Sequence, residues 1–387
     1  MTIKRNSKLF LVLFLGTLSA FGPFVTDLYL PAFPTMTSFF NASTSTIQLT
    51  LTGSMVGLAL GQFLIGPISD KYGRKNPLII SLVIYLISTL AIIIFPSVYA
   101  MITLRFIQGV SSAGAVVISR AISTDLYQGR ELAAFFALLM AVNGLAPILS
   151  PIIGSLLLQL TDWRGIFVTL ALIGVILLAV SFKFNESLAV EKRLDLPITK
   201  TYYSIVHVAK NKLFFALVII QGFALAAMFA YIAASPFILQ THYSLSPLMY
   251  SLCFGLNGFA IVLGSKSAGS FKEKNSIKLG LSLMLVVSIY LAIALTLTLP
   301  FLFIESGFFL LLLGLGFILP AGSAVAMSLE RERAGSASAF FGFVPFFLGG
   351  VVSPLVGIGN IFHSSAIAIV ICSAISFVTF KLIEKRI

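Results

Sequence analysis

The sequence predicts an all-α integral membrane protein, with twelve transmembrane helices in two six-helix bundles related by a pseudo-two-fold axis. Of its 387 residues, 58% are hydrophobic and only 10% are charged, whereas about 25% of the residues in a soluble domain are charged. The apolar residues form continuous runs, which indicate membrane helices and not the short alternating segments of a β-barrel. Short motifs recur 203 to 208 residues apart, which indicates that the two halves are related.

The apolar runs place the spans along the chain, each long enough to cross about 30 Å of hydrocarbon at 1.5 Å per residue. The first bundle, residues 1–183, has spans at about 9–33, 45–66, 77–95, 98–120, 131–158 and 164–183. The second bundle, residues 213–387, has spans at about 213–238, 246–267, 277–298, 301–323, 334–357 and 363–382. The polar residues 184–212 between them are predicted to form a cytoplasmic linker. The amino end looks like a secretory signal, but its apolar run continues past Phe21, so we predict an uncleaved first span.

Three pairs of motifs, each pair separated by six spans, support the internal repeat. The pairs are Ala134-Phe135-Phe136 with Ala339-Phe340-Phe341, Ser150-Pro151 with Ser353-Pro354, and Ala113-Gly114 with Ala321-Gly322. This spacing favours two parallel six-helix repeats.

The basic residues lie on one side of the predicted membrane. The formal net charge is +12. If the amino terminus, with Lys4 and Arg5, faces the cytoplasm, all 25 Lys and Arg except Arg105 and Arg164 fall on the cytoplasmic side. The positive-inside rule therefore explains the charge and places both termini in the cytoplasm. We expect a lipid bilayer, and no nucleic acid, as the partner of these charges.

The residue patterns that carry most enzyme chemistry are missing from the sequence. Cys253 and Cys372 lie in apolar runs, which argues against a disulfide framework. The sequence has no His/Cys/Asp cluster with metal-ligand spacing and no G-x-x-x-x-G-K-[ST] loop for ATP phosphates. We therefore predict no enzyme activity, no bound metal and no cofactor.

Asp27 and Arg105 are charged residues inside predicted spans, where an unpaired charge costs about 2.5–3.5 kcal/mol on insertion scales. Asp27 is the only acidic residue that the predicted boundaries place clearly within a span. The helical rise places both residues about 10 Å below the outer edge, so we expect them to face a common cavity with Tyr29 and Gln108. Asp27 is the predicted proton-binding group. Two other interpretations stay open, with Asp27 at the rim beyond a short first helix and Arg105 as a hydrogen-bonding brace.

A polar stretch rich in glycine and basic residues connects spans 2 and 3. Its sequence is Gly66-Pro-Ile-Ser-Asp70-Lys71-Tyr-Gly73-Arg74-Lys75. The glycines permit tight turning, the acid is expected to cap a helix or pair with a base, and the basic residues are expected to face the cytoplasm. We predict a gate held by charge pairs, with Arg120 and Asp125 of span 4 as candidate partners. A loop that only fixes the topology is the alternative.

Span 5 contains residues that kink membrane helices, namely Asn143, Pro147, Pro151 and Gly154. Proline and glycine bend such helices and allow their neighbours to pack closely. General flexibility of the helix explains these residues as well as a specific functional role does.

These stretches resemble the major facilitator superfamily, and in particular its bicyclomycin/chloramphenicol-resistance branch of drug:proton antiporters. The matching residues are Asp27-Leu-Tyr29-Leu-Pro31, Gly66–Lys75, Leu104-Arg105-x-x-Gln108-Gly109, Ala146-Pro147-x-x-Ser150-Pro151-x-x-Gly154, Asp162-Trp163-Arg164-x-Ile166-Phe167 and Ser235-Pro236-Phe237. The resemblance implies a proton-coupling role for Arg105, a cavity position for Asp27 and an exporter-associated role for the span 5 motif. Lys71 and Ser155 depart from the residues that are commoner in the family.

The resemblance implies a proton-coupled secondary transporter in a bacterial inner membrane that exports drugs or other small amphiphilic compounds by alternating access. A monomer is expected. The candidates for cargo binding are Asp27, Tyr29 and Gln108 in the first half and Gln221, Tyr231 and Asn257 in the second half. A dedicated carrier for a metabolite such as a nucleobase or nucleoside is the main alternative. A channel or a membrane-embedded enzyme fits these residues less well.

Overall fold

A computed structural model describes residues 7–193, 207–330 and 333–386. Within these ranges the secondary structure is helical, and twelve segments are long and apolar enough to cross a membrane. The prediction of an all-α chain with twelve spans is confirmed. Residues 194–206 of the predicted linker, as well as Lys4 and Arg5, lie outside the described residues.

The observed spans begin close to their predicted starts, and several of them run further. Spans 1 to 6 are Lys8–Phe40, Thr44–Tyr72, Lys75–Ile94, Val98–Leu126, Gly129–Leu157 and Trp163–Lys183. Spans 7 to 12 are Lys212–His242, Pro247–Ala268, Glu273–Thr296, Phe301–Leu329, Ser336–Leu355 and Ile361–Ile383. Spans 2, 4 and 10 continue several residues past their predicted ends, because a helix keeps satisfying its backbone hydrogen bonds after its side chains become polar.

Span 1 is broken near its end. Its first helix, Lys8–Asp27, is followed by a 3-10 turn and then by a short second helix, Phe33–Phe40. Pro31 has no N–H to donate to the carbonyl of Asp27, four residues earlier, so a regular α-helix cannot continue through this point. The regular helix therefore ends before Pro31, and the span extends beyond this break to Phe40.

The stretch between spans 2 and 3 is mostly helix and not a loop. The helix of span 2 runs through Gly66 and ends at Tyr72, and the next helix starts at Lys75. Gly73 has a positive φ of 88°, a conformation that glycine adopts without the steric cost of a side chain. The sharp turn therefore depends on Gly73 and not on Gly66.

Spans 2 and 4 pack with their backbones close together at Gly57. A Cβ atom at Gly57 would overlap the carbonyl oxygen of Phe106 and lie 2.9 Å from the amide nitrogen of Val110. Small residues at such crossings allow membrane helices to approach closely.

The described residues group into two compact units. Unit 1 lies within Met1–Tyr29 and Gly53–Thr201, and unit 2 lies within Leu30–Thr52 and Tyr202–Ile387. The end of span 1 and the start of span 2 thus belong to unit 2, where Gln48 Nε2 donates to the carbonyl of Ala233 at 2.8 Å. The division of the sequence at residues 183 and 213 stays a prediction.

Each unit has an aromatic core of its own. In unit 1, the buried rings of Phe21 and Tyr85 have their centroids 4.5 Å apart. In unit 2, the buried rings of Tyr231 and Phe308 are 4.7 Å apart. These cores position the polar residues described next.

We expect Gly57→Ala to destabilise unit 1, because the added methyl group collides with the backbone of span 4. Overpacking of this kind costs about 1–3 kcal/mol, which thermal unfolding of the purified protein in detergent measures. Gly144→Ala is the matched control, since a Cβ atom there meets nothing within 4 Å and alanine favours the helix. Equal unfolding temperatures for Gly57→Ala and the wild type would contradict the packing described above.

Candidate functional site

Arg105 joins span 4 to the broken end of span 1. The residue is fully buried. Its Nη2 donates to the carbonyl oxygen of Val25 at 2.9 Å, and this carbonyl is one of those that the end of an α-helix leaves without a partner. The cation also lies near a helix C-terminus, where the helix dipole favours positive charge. These contacts are those of a brace between helices.

The guanidinium of Arg105 also contacts Gln108 and Tyr29. Its Nη1 donates to Gln108 Oε1 at 2.5 Å, and Gln108 Nε2 donates to Thr89 Oγ1 of span 3 at 2.7 Å. The guanidinium carbon lies 4.2 Å from the centroid of the Tyr29 ring, which is a cation–π contact. Among the described residues, Arg105 Nε has no hydrogen-bond partner. The structure thus brings together three of the residues that were expected to be neighbours.

Asp27 is the last residue of the first helix of span 1, and only 7% of it is exposed. Its carboxyl group interacts with the side chain of Thr26 and with the charge of Arg105. In the described ranges, no ion pair joins Asp27 to a basic residue. Loss of water generally favours a neutral acid, whereas a nearby cation favours the carboxylate. The rim interpretation placed Asp27 beyond a short first helix, whereas the structure has it as the last residue of that helix, buried between two opposing influences.

Arg74 is the centre of a charged cluster where span 2 ends and span 3 begins. Only 5% of the residue is exposed, although it was expected to face the cytoplasm. Its Nε donates to Asp125 Oδ2 at 2.9 Å, and its Nη1 donates to Asp70 and to Ser69 at 2.5 and 2.9 Å. Burial lowers the pKa of Arg74, but the hydrogen bonds and charges of Asp125 and Asp70 outweigh it and raise the pKa above its ordinary value. The guanidinium therefore stays charged.

Glu186, which follows span 6, completes this cluster. Its carboxylate accepts hydrogen bonds from the backbone amides of Arg74 and Lys75 at 3.0 and 3.1 Å. A carboxylate at a helix N-terminus stabilises the helix, so Glu186 acts as a cap for span 3. Sequence reasoning missed this residue, because it is 112 positions from Arg74 and no local pattern marks it.

The remaining residues of the predicted gate have other positions. Gly66 lies inside the span 2 helix, and Lys71 lies beside an aromatic ring of the same helix. Lys75 Nζ donates to a backbone carbonyl at the end of span 6 at 2.8 Å. Arg120 is half-buried and its Nε has no hydrogen-bond partner in the part of the chain that the structure describes. Of the two candidates in span 4, Asp125 is the one that contacts the cluster.

Span 5 contacts span 1 through two of its four predicted helix-kink residues. Asn143 Nδ2 donates to the hydroxyl of Ser19. A Cβ atom at Gly154 would overlap the carbonyl oxygen of Leu28, the residue after Asp27. Both prolines of the set lie inside a continuous helix, Gly129–Leu157.

The three cargo candidates of unit 2 make two different sets of contacts. Gln221 Nε2 donates to the hydroxyl of Ser323 at 3.4 Å. Asn257 Nδ2 donates to Tyr231 Oη and to Glu305 Oε1, each at 3.0 Å. Glu305 lies near the start of span 10, as its place in the sequence predicts, but it is only 7% exposed, so Asp27 is not the only buried acid among the described residues. The depth of a residue, counted from the helix end, does not identify Glu305 as buried. Packing against neighbouring helices, and not depth alone, removes its side chain from water.

Known proteins match this arrangement along nearly the whole chain. The family model of the Major Facilitator Superfamily matches residues 9–354. The "Uncharacterized MFS-type transporter YdgK" of Bacillus subtilis is 35% identical over 391 residues, with 99% of this chain and 97% of that protein covered. The chain therefore belongs to the major facilitator superfamily and is a multi-pass membrane transporter, not an enzyme.

Further relatives agree with the branch that the sequence motifs indicate. The bicyclomycin resistance protein homolog of Haemophilus influenzae is 26% identical over 360 residues, with 91% of this chain and 90% of that protein covered. Among solved structures, the nucleoside transporter NupG matches with a TM-score of 0.75 at 14% identity, over 96% of this chain and 98% of that chain. This low identity shows a shared fold alone. The resemblance stated from the sequence is confirmed.

We expect Arg74→Lys to lower the thermal unfolding temperature, because lysine cannot make the forked contacts of a guanidinium. Hydrogen bonds to charged groups contribute about 1.5–3 kcal/mol each, so the loss is measurable in detergent. The matched control is the opposite exchange at a neighbouring position, Lys71→Arg, which leaves the cluster intact. A fall of the same size in both variants would indicate a general effect of the basic stretch and contradict a specific role for Arg74.

Proposed function

We propose that the protein is a proton-coupled exporter of small amphiphilic compounds, acting as a monomer in a bacterial inner membrane with both termini in the cytoplasm. The observation that carries the proposal is a buried carboxyl group, Asp27, under the influence of a buried cation, Arg105, at the break in span 1. Ionisable residues inside membrane spans are costly and generally mark ion or substrate pathways.

The geometry suggests how proton binding is coupled to a change in shape. A carboxylate at Asp27 attracts the guanidinium of Arg105, and a neutral carboxylic acid does not. The same guanidinium holds the carbonyl of Val25 at the end of the helix. Protonation of Asp27 therefore changes the forces on the break, where span 1 bends most easily because Pro31 has removed a backbone hydrogen bond.

The polar residues proposed to bind cargo are tightly held in this conformation. Tyr29, Gln108 and Asn257 are fully buried, and each is already hydrogen-bonded or stacked on a neighbour. Contact with cargo therefore requires another conformation of the transport cycle, as alternating access supplies. Export of drugs is supported by the similarity to a bicyclomycin resistance protein homolog.

We expect Asp27→Asn to abolish proton-driven accumulation and to leave downhill exchange of substrate intact, because asparagine keeps the shape of the side chain but cannot take up the proton. Transport and internal pH are measured together in proteoliposomes with an imposed pH gradient. The matched control is Asp162→Asn, since Asp162 is half-exposed and caps span 6, a position where Asn and Asp serve equally well. Undiminished coupling in Asp27→Asn would dismiss this role of Asp27.

Expression in a pump-deficient bacterium is expected to raise resistance to several amphiphilic antibiotics, and an uncoupler of the proton gradient should remove the effect. The panel should include nucleobases and nucleosides, with cellular content of each compound as the readout. The Asp27→Asn variant is the control for the dependence on protons. Uptake or release of one metabolite, with no change for any drug, would favour a dedicated metabolite carrier.

A further inference from the structure

Glu305 belongs to a buried polar cluster that joins three helices of unit 2. It lies about 6 Å along the axis from the start of span 10. Its Oε1 accepts a hydrogen bond from Asn257 Nδ2 of span 8 at 3.0 Å. The same nitrogen donates to Tyr231 Oη of span 7 at 3.0 Å, and the thiol of Cys253 interacts with the carboxyl group as well. All the partners are neutral groups.

The charged and titratable groups around Glu305 determine whether its charge is balanced. Within the ranges that the structure covers, no Lys, Arg or His forms an ion pair with it. Tyr231 of span 7 and Cys253 of span 8 interact with Glu305, and Tyr250 of span 8 interacts with Tyr231. Tyr290 of span 9 donates to the carbonyl of Phe303, two residues before Glu305. The described residues of span 11 include no titratable side chain. A buried carboxylate without a cation is strongly disfavoured, and buried acids therefore tend to become neutral.

The hydrogen bonds of the cluster are incomplete if Glu305 is a carboxylate. Glu305 Oε2 and Asn257 Oδ1 are buried and have no hydrogen-bond partner among the described residues. An ionised carboxyl group and an amide oxygen can only accept, whereas a protonated carboxyl group has an O–H to donate. A proton on Glu305 therefore adds an O–H donor to a cluster in which two acceptor oxygens have no partner among the described residues.

The neighbours of Glu305 are buried and packed against aromatic rings. Asn257 is fully buried and only 1% of Tyr231 is exposed. The Tyr231 ring lies between two others, with its centroid 4.7 Å from that of Phe308 and 5.9 Å from that of Phe254. Among the described residues, no group of three or more His, Cys, Asp or Glu side chains could hold a metal ion.

We infer that Glu305 is a second proton-binding site, built by Asn257 and Tyr231 in unit 2 and independent of the Asp27 site in unit 1. The site differs from that of Asp27 in having only neutral partners. Its role in transport rests on the proposed function, because a second proton matters to the cycle only if the protein is coupled to protons. Proton binding itself does not depend on that proposal.

Infrared spectroscopy tests the site directly. The carbonyl stretch of protonated carboxylic acids is recorded on reconstituted protein over a series of pH values. We expect Glu305→Gln to lose one carboxylic acid band that Asp27→Asn retains. The matched control is Glu273→Gln, because Glu273 is exposed at the start of span 9 and its change should leave the buried band intact. A Glu305→Gln spectrum equal to that of the wild type at every pH would overturn the inference.

A second variant keeps the test decisive if Glu305→Gln does not fold. In Tyr231→Phe one of the two N–H groups of the Asn257 amide loses its acceptor, the phenol that helps to orient the amide toward Glu305, so the band of the protonated Glu305 should shift. An unshifted band would overturn the site as built. Proton flux then separates the two proposals. A lower number of protons per substrate in Glu305→Gln supports the transport role of the site. Undiminished coupling in Asp27→Asn would reject the proposed function while the infrared band still decides the inference on Glu305.

Discussion

The hydrogen bond from Arg105 to the carbonyl of Val25 stabilises a helix end in a place where water is scarce. A helix that stops leaves several carbonyls without donors, and each unsatisfied group in hydrocarbon costs several kcal/mol. Pro31 imposes the stop, because it cannot donate to Asp27 four residues before. Arg105 supplies a donor at the resulting end. The break in span 1, the burial of Arg105 and the position of Asp27 therefore form one arrangement and not three separate features.

The two buried acids are held in different ways. The buried carboxyl group of Asp27 lies within the electrostatic influence of the Arg105 guanidinium, which makes its hydrogen bonds to other residues. The charge state of Asp27 therefore alters an electrostatic attraction between spans 1 and 4. Glu305 has an amide, a thiol and a phenol in its neighbourhood, so its charge state alters hydrogen bonding within one packed cluster. A proton on Asp27 would therefore act through a long-range electrostatic force, and a proton on Glu305 would act through local hydrogen bonds.

Much of the fold could be predicted, because hydrocarbon selects for long apolar runs and each run is a helix. Arg105 and Gln108 were also predictable as neighbours, since residues three apart lie on the same face of a helix. The continuation of span 2 through Gly66 was not, because polar residues at a membrane surface can be helical although their composition resembles that of a loop. Glu305 and Glu186 were missed for another reason. The residues that contact these two side chains come from distant parts of the sequence, and no local sequence pattern predicts such contacts.

The motif of span 5 is explained by packing as much as by flexibility. Gly154 lies against the carbonyl of Leu28, where any side chain would push span 5 away from the break in span 1. Asn143 contacts the same helix further along, at Ser19. The motif that the family resemblance associates with export thus lies against the residue that follows Asp27. Under the proposed function, a change of charge at Asp27 and a movement of span 5 would act on adjacent backbone atoms, which would give a physical route from proton binding to the motion of a second helix in unit 1.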